Sequence, residues 1–283
     1  MRGKTCVVTG ANAGIGRETV RALARMGAQV ALVCRNRAKG EEALESLRKE
    51  TGNEGLRLFV ADLSSQADIR RVAGELREAY PRIDVLVNNA GAIHGERTTT
   101  VDGLETTFAT NHLGYFLLTH ELLHVLRRSA PARIVNVASD AHRLVQGLDF
   151  DDLQSEKRYT AMNAYARSKL ANILFSAELA RRLQGSGVTS NALHPGVVAT
   201  NFGKNASGPF ALLLALGRPF MRSIAKGAAT TIYLATSPDV EGVTGKYFVD
   251  CREKKPSAAA RDEAAQRRLW EVSARLVGIA PST

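Results

Sequence analysis

The sequence predicts an α/β fold: a single domain over residues 1–283, built on a doubly wound, seven-stranded parallel sheet with helices on both faces. Three observations predict it. Short apolar runs alternate with helical stretches along the chain, a pattern that right-handed crossovers turn into a parallel sheet covered on both sides. A glycine-rich turn follows the first apolar run, where such sheets pass from strand to helix. Residues able to do chemistry recur just after the apolar runs, at the strand ends where these sheets bind ligands.

The elements follow in order. Residues 5–9 (TCVVT) form a buried strand by composition, 17–26 a helix and 28–33 the second strand. A helix over 38–50 leads to strand three at 56–60, and a helix over 66–79 to strand four at 83–87. A long helical region spans 104–128, followed by strand five at 133–137. A helix over 161–183 precedes strand six at 188–193, and a helix over 226–235 precedes strand seven at 246–249. A last helix, about 262–277, places Leu269, Trp270, Ser273 and Leu276 at helical spacing, as a packing face does. No repeat, linker or low-complexity tract divides the chain.

Composition narrows the function classes. The chain is 45% hydrophobic and 23% charged, as soluble globular proteins are. Its net charge of +10 comes from basic residues scattered along helices rather than clustered, which argues against a nucleic-acid partner. No run of 18 apolar residues is present, so no transmembrane helix is expected. The opening Met1-Arg2-Gly3-Lys4 leads directly into a strand, without the form of a signal peptide. Cys6, Cys34 and Cys251 are few and far apart, which fits a reducing, cytoplasmic setting.

The candidate site residues sit in the turns after the strands. Thr9-Gly10-Ala11-Asn12-Ala13-Gly14-Ile15-Gly16 lets backbone amides approach a pyrophosphate at a helix N-terminus. Strand two ends in Cys34-Arg35-Asn36; a carboxylate there would grip the ribose of NAD, whereas Arg35 suits a 2′-phosphate and hence NADP(H). A solvated Arg35 is the alternative. Asp62 and Leu63 follow strand three, and Asn88-Asn89-Ala90-Gly91 close strand four. Asp62 could instead cap the next helix, and Asn88 and Asn89 could serve as turn formers. Ser139 follows strand five, and His194-Pro195-Gly196-Val197-Val198-Ala199-Thr200 ends strand six. Tyr165 and Lys169 are four apart on a helix, hence on one face, where an ammonium would lower the phenol's pKa toward proton-transfer range. His120-Glu121-Leu122-Leu123-His124 matches a zinc-protease pattern, but no other histidine has the spacing of a third ligand, so no metal is expected.

Together the Gly10–Gly16 turn, Asp62, Asn88–Gly91, Asn111, Ser139, Tyr165–Lys169 and Pro195-Gly196 resemble the short-chain dehydrogenase/reductase superfamily over nearly the whole chain. More narrowly, Cys34-Arg35-Asn36, the stretch 148–153 (LDFDDL) and the tail from Cys251 through Trp270 to Gly278 resemble its retinol-dehydrogenase-like branch. The resemblance implies a Rossmann fold and a catalytic set of Asn111, Ser139, Tyr165 and Lys169. Tyr165 would carry the proton, and Lys169 would lower its pKa and hold the nicotinamide ribose. Ser139 would steady the substrate oxygen, and Asn111 would hold a water joining Lys169 to solvent. The cofactor, NADP(H), would lie along Gly10, Asn12, Gly14, Ile15, Gly16, Arg35, Asn36, Asp62, Leu63, Asn89, Ala90, Gly91, Tyr165, Lys169, Pro195, Gly196, Val198 and Thr200. Residues 201–225 would form a lid. Its apolar run, Pro209 to Leu216 with Phe220 and Met221, points to a small lipophilic aldehyde, ketone or retinoid-like alcohol, or else packs on the core, a second copy of the chain or a membrane surface. A steroid or quinone substrate and a catalytically silent NADP(H)-binding regulator are the rival readings. The intact Tyr165–Lys169 pair argues against the silent one.

Overall fold

In the computed structural model, residues 1–198 and 222–280 are described. Their sheet runs in the order β3-β2-β1-β4-β5-β6-β7-β8. The strands are β1 (Thr5–Thr9), β2 (Gln29–Cys34), β3 (Leu56–Val60), β4 (Val85–Asn88), β5 (Ala132–Val137), β6 (Val188–His194), β7 (Tyr247–Val249) and β8 (Arg252–Glu253). The first seven pair in parallel, as the sequence predicts. The eighth is additional and antiparallel, with Phe248 opposite Glu253 and Val249 opposite Arg252. Asp250 and Cys251 both hold positive φ, +53° and +59°, which closes a two-residue hairpin matched to strand twist. The pair Asp250-Cys251 carries little signal for it, because such turns normally hold glycine or asparagine.

Strand order reverses between β1 and β4, the place where such sheets bind ligands beyond the C-terminal ends of the strands. Side chains alternate across the sheet, so each face has its own core. On one face Val7, Val33, Leu86 and Ile134 pack among residues of α3 (Gln66–Ala79), α4 (Gly114–Arg128), α5 (Ala161–Arg182) and α7 (Glu263–Leu276). On the other, Cys6, Val8, Leu32, Val87 and Val135 meet α1 (Gly14–Arg25), α2 (Arg37–Thr51) and α6 (Ile224–Thr236). The long region expected as one helix is composite. A short turn at Thr106–Phe108 opens into a π-helical turn, Ala109–Leu113, before α4 begins. Among the described residues, no helix is long and apolar enough to cross a membrane.

Candidate active site

The turn after β1 is packed against the turn after β4 as closely as backbone allows. A Cβ on Gly16 would lie 2.2 Å from the Gly10 carbonyl oxygen, and one on Gly10 would lie 2.9 Å from the Cα of Ala90. Thr9 ties the two turns together. Its hydroxyl oxygen accepts from the amides of Asn89 and Ala90 at 2.9 and 3.0 Å, while Asn89 Nδ2 donates to the Thr9 carbonyl at 2.8 Å. Ala13 at the N-cap of α1 offers no side-chain acceptor, so the first-turn amides are left for an anion. Asn12, Gly14 and Ile15 line the same half-buried turn. This cradle fits a dinucleotide pyrophosphate: its helix N-terminus carries no side-chain cap, and the absence of side chains at Gly10 and Gly16 is what lets the turn fold this tightly.

At the end of β2 the Arg35 side chain is 74% exposed, and its guanidinium stands 3.7 Å from an Asp62 oxygen. Asn36 caps α2 by accepting from the amide of Lys39 at 2.9 Å. Asp62 does not cap α3. It accepts from the amide and hydroxyl of Ser64, shaping the turn, and the cap is Ser65. Leu63 is buried, with its carbonyl 2.7 Å from where a Cβ on Gly114 would stand. Asn88 is no turn former: its amide donates in the core to Thr119 and Asn136, each at 2.9 Å.

Asn111 lies in the π turn, where an extra residue in the helical turn re-aims a side chain. Its amide clamps both backbone groups of Ala92, accepting at 2.8 Å and donating at 2.9 Å, and donates to Ser168 Oγ at 3.0 Å. Ser139 follows β5 and caps a short 3-10 turn through the amide of Ala141. Its side chain also hydrogen-bonds Tyr165. Lys169, 3% exposed, donates to the Val137 carbonyl at 2.9 Å, and its Nζ lies 5.7 Å from the ring centres of both Tyr165 and Tyr115. Gly91 leaves the approach open: a Cβ there would come within 3.3 Å of Asn111 Oδ1 and 3.5 Å of Lys169 Nζ. The structure thus brings Asn111, Ser139, Tyr165 and Lys169 together beside Ala90 and Gly91.

The electrostatics differ from the expectation that Lys169 depresses the Tyr165 pKa. Burial around the phenol pushes it up to about 12, against the lowering effect of the Ser139 hydrogen bond. Burial likewise pushes Lys169 down to about 7, so near neutral pH the amine is only partly charged.

Pro195, Gly196 and Val198 follow β6, and Val198 bridges in parallel to Arg222, which pairs with Asp250. Thr200 and most of the expected lid lie outside the described residues. The Glu121 of the His-Glu-x-x-His stretch is bound by Arg70 and Arg77 at 2.7 and 3.1 Å. Sequence reasoning missed the supports of Ser139. His142 Nδ1 bonds the Ser139 carbonyl at 2.7 Å while its Nε2 accepts from Ser257, and His194 Nδ1 accepts from the amide of Asp140 at 3.2 Å. Their only signal was position, just beyond strand ends. Arg167 was also missed. It holds the 148–153 stretch through the carbonyls of Asp149 and Asp152, at 2.9 and 2.5 Å.

This cradle and this cluster are those of a nicotinamide-dependent oxidoreductase, and the chain belongs to the short chain dehydrogenase family, which it matches over residues 4–208. Within it the chain falls in the retinol-dehydrogenase-like branch. It is 47% identical to retinol dehydrogenase 14 of Mus musculus over 99% of this chain and 87% of that one. It is 46% identical to retinol dehydrogenase 13 of Homo sapiens over 99% and 86%. Among solved structures, the Pseudomonas aeruginosa RhlG/NADP active-site complex superposes with a TM-score of 0.71 at 31% identity, covering 88% of this chain and 94% of that one.

Proposed function

We propose that this chain is an NADP(H)-dependent oxidoreductase that moves a hydride between nicotinamide and the carbonyl or alcohol carbon of a small lipophilic molecule. The carrying observation is the meeting of Ser139, Tyr165, Lys169 and Asn111 beside the Gly10–Gly16 cradle. When bound, the nicotinamide supplies or accepts the hydride; the chain's own residues manage the oxygen and the proton. Ser139 Oγ donates to the substrate oxygen and stabilises its developing negative charge. Tyr165 gives its phenolic proton to that oxygen in reduction and takes one back in oxidation. A phenol held near pKa 12 is fully protonated at neutral pH, the state a donor needs. Oxidation requires that pKa to fall, which a charged Lys169 beside the ring would accomplish. Asn111 fixes the loop after β4 and, through Ser168, the helix that carries the pair.

Exposed Arg35 supports NADP(H), since it can turn toward a 2′-phosphate where no carboxylate grips a ribose. The names of the retinol dehydrogenase relatives and the apolar run Pro209–Leu216 support a lipophilic substrate. The test is purified chain with NADPH and a series of straight-chain aldehydes. KM should fall severalfold per methylene until the pocket fills, at about 0.8 kcal/mol per buried CH₂. Tyr165→Phe should lose about 10²-fold or more in turnover while still binding NADPH. Near-normal turnover in that variant overturns the assignment.

A further inference from the structure

Beside the proposed proton carrier lies a second tyrosine whose ring packs against the same lysine. Tyr115, four residues beyond Asn111, is wholly buried at the start of α4. Its hydroxyl has no hydrogen-bond partner among the described residues. A buried unpaired hydroxyl is a cost that phenylalanine in the same space would avoid. Its ring lies 5.7 Å from Lys169 Nζ, the same distance as the ring of Tyr165. The groups that border the ammonium are neutral. They are the Val137 carbonyl from β5, Asn111 from the π turn, Gly91 from the loop after β4, Tyr165 from its own helix and Tyr115 from α4. Among the described residues, no charged group offsets the burial of Lys169.

We propose that Tyr115 is a positioning residue for the reaction assigned above: its ring face holds the Lys169 amine in place and favours its charged form, where no carboxylate among the described residues does so. The inference rests on that assignment of Lys169. The face of an aromatic ring is electronegative and attracts a cation within about 6 Å, more strongly when both are desolvated. Tyr115 offers a neutral ring, because burial and the neighbouring Tyr165 keep its phenol from ionising.

The test is the titration of Lys169 by the ¹³Cε shift in lysine-labelled, cofactor-free protein, its signal assigned by loss in Lys169→Met. Tyr115→Phe keeps the ring and should titrate with the wild type. Tyr115→Leu should lower the Lys169 midpoint by about 0.5–1.5 pH units. It should also cut kcat/KM for NADPH-dependent reduction at pH 7.5 by about 3- to 30-fold, with the Phe variant near wild type. If the Leu variant does not fold, Tyr115→Met, unbranched and ringless, gives the same readout. An unshifted midpoint in the ringless variant overturns the proposal. So does a Phe variant that shifts as far as Leu, since the hydroxyl would then be responsible. The titration uses neither cofactor nor substrate. An active Tyr165→Phe would therefore sink the catalytic assignment while the Lys169 midpoint still decides the ring contact.

Discussion

Cofactor choice is a residue-scale question, and the surroundings of Arg35 sharpen it. Three arginines near the adenosine end could reach a 2′-phosphate, but one is closely engaged. Arg17 is bound by Ser46 and Glu50, and Arg37 pairs with Glu41 at 3.6 Å along its own helix. Arg35 and Arg37 each have only a long contact, to Asp62 and Glu41, and are mostly in solvent, so both are free to turn; Arg35, directly after β2, is the better placed. A hydrogen bond to a charged group contributes about 1.5–3 kcal/mol, which predicts roughly 10- to 150-fold preference for NADPH over NADH. Because the contact is exposed, the preference should shrink as salt is raised. Cys34→Asp with Arg35→Ala should reverse it, read as kcat/KM for both cofactors with one aldehyde. A wild type that favours NADH would mean that Arg35 belongs to solvent. The identities of these residues were legible from their place after β2. What was not legible is which arginines had already been claimed, because partners such as Ser46 and Glu50 come from a distant part of the chain.

At the scale of elements, the site depends on a junction between the π turn and the C-terminal helix. His112, next to Asn111, is wholly buried and bonds Ser273 of α7 through Nε2 at 2.8 Å. Its ring packs on Phe108 and Phe175, and Trp270 of α7 meets Phe116 edge-on at 4.9 Å. Helical spacing predicted that Leu269, Trp270 and Ser273 would pack. It could not reveal the π turn, since one extra residue in a turn leaves no periodic trace. Ser273→Ala leaves a buried imidazole nitrogen unpaired and should cost about 1–3 kcal/mol in urea denaturation. The variant should also lose activity through the displaced Asn111. Unchanged stability would mean that the hydrogen bond does not hold α7. The β1 turn makes a second prediction at this scale. Gly16→Ala sets a methyl group 2.2 Å from a backbone oxygen, so NADPH binding measured by fluorescence should collapse. Retained binding would show that the turn yields without losing the cradle.

For the whole molecule, strand order and helix faces followed from alternation and handedness, physics that acts along the entire chain. The hairpin to β8 did not, because its turn lacks the usual glycine or asparagine, nor did the histidine supports of Ser139, because Ser257 reaches His142, and His194 reaches Asp140, from distant parts of the chain. Those same buried histidines give the molecule an acid limit. Burial pushes His112 down to about 3 from an ordinary 6.5, and also lowers His120, His142 and His194. Below about pH 6.5 the unfolded chain takes up protons on these imidazoles and the folded chain refuses them. Their contribution to stability is therefore complete above 6.5 and is lost as pH falls. For His112 alone the loss runs toward pH 3, at up to about 1.4 kcal/mol per pH unit. His112→Gln can still reach Ser273 but cannot take a charge. Urea midpoints from pH 8 to pH 4.5 should start lower in this variant, which loses ring packing, yet decline less steeply than in the wild type. Carboxylates such as Asp68 and Asp140, held below their usual values by their partners, also begin to lose their contribution at about pH 5 as the unfolded chain protonates them, but equally in both proteins, so the difference between the two slopes reports His112. Parallel declines in the two proteins would show that the acid limit is set elsewhere than at His112.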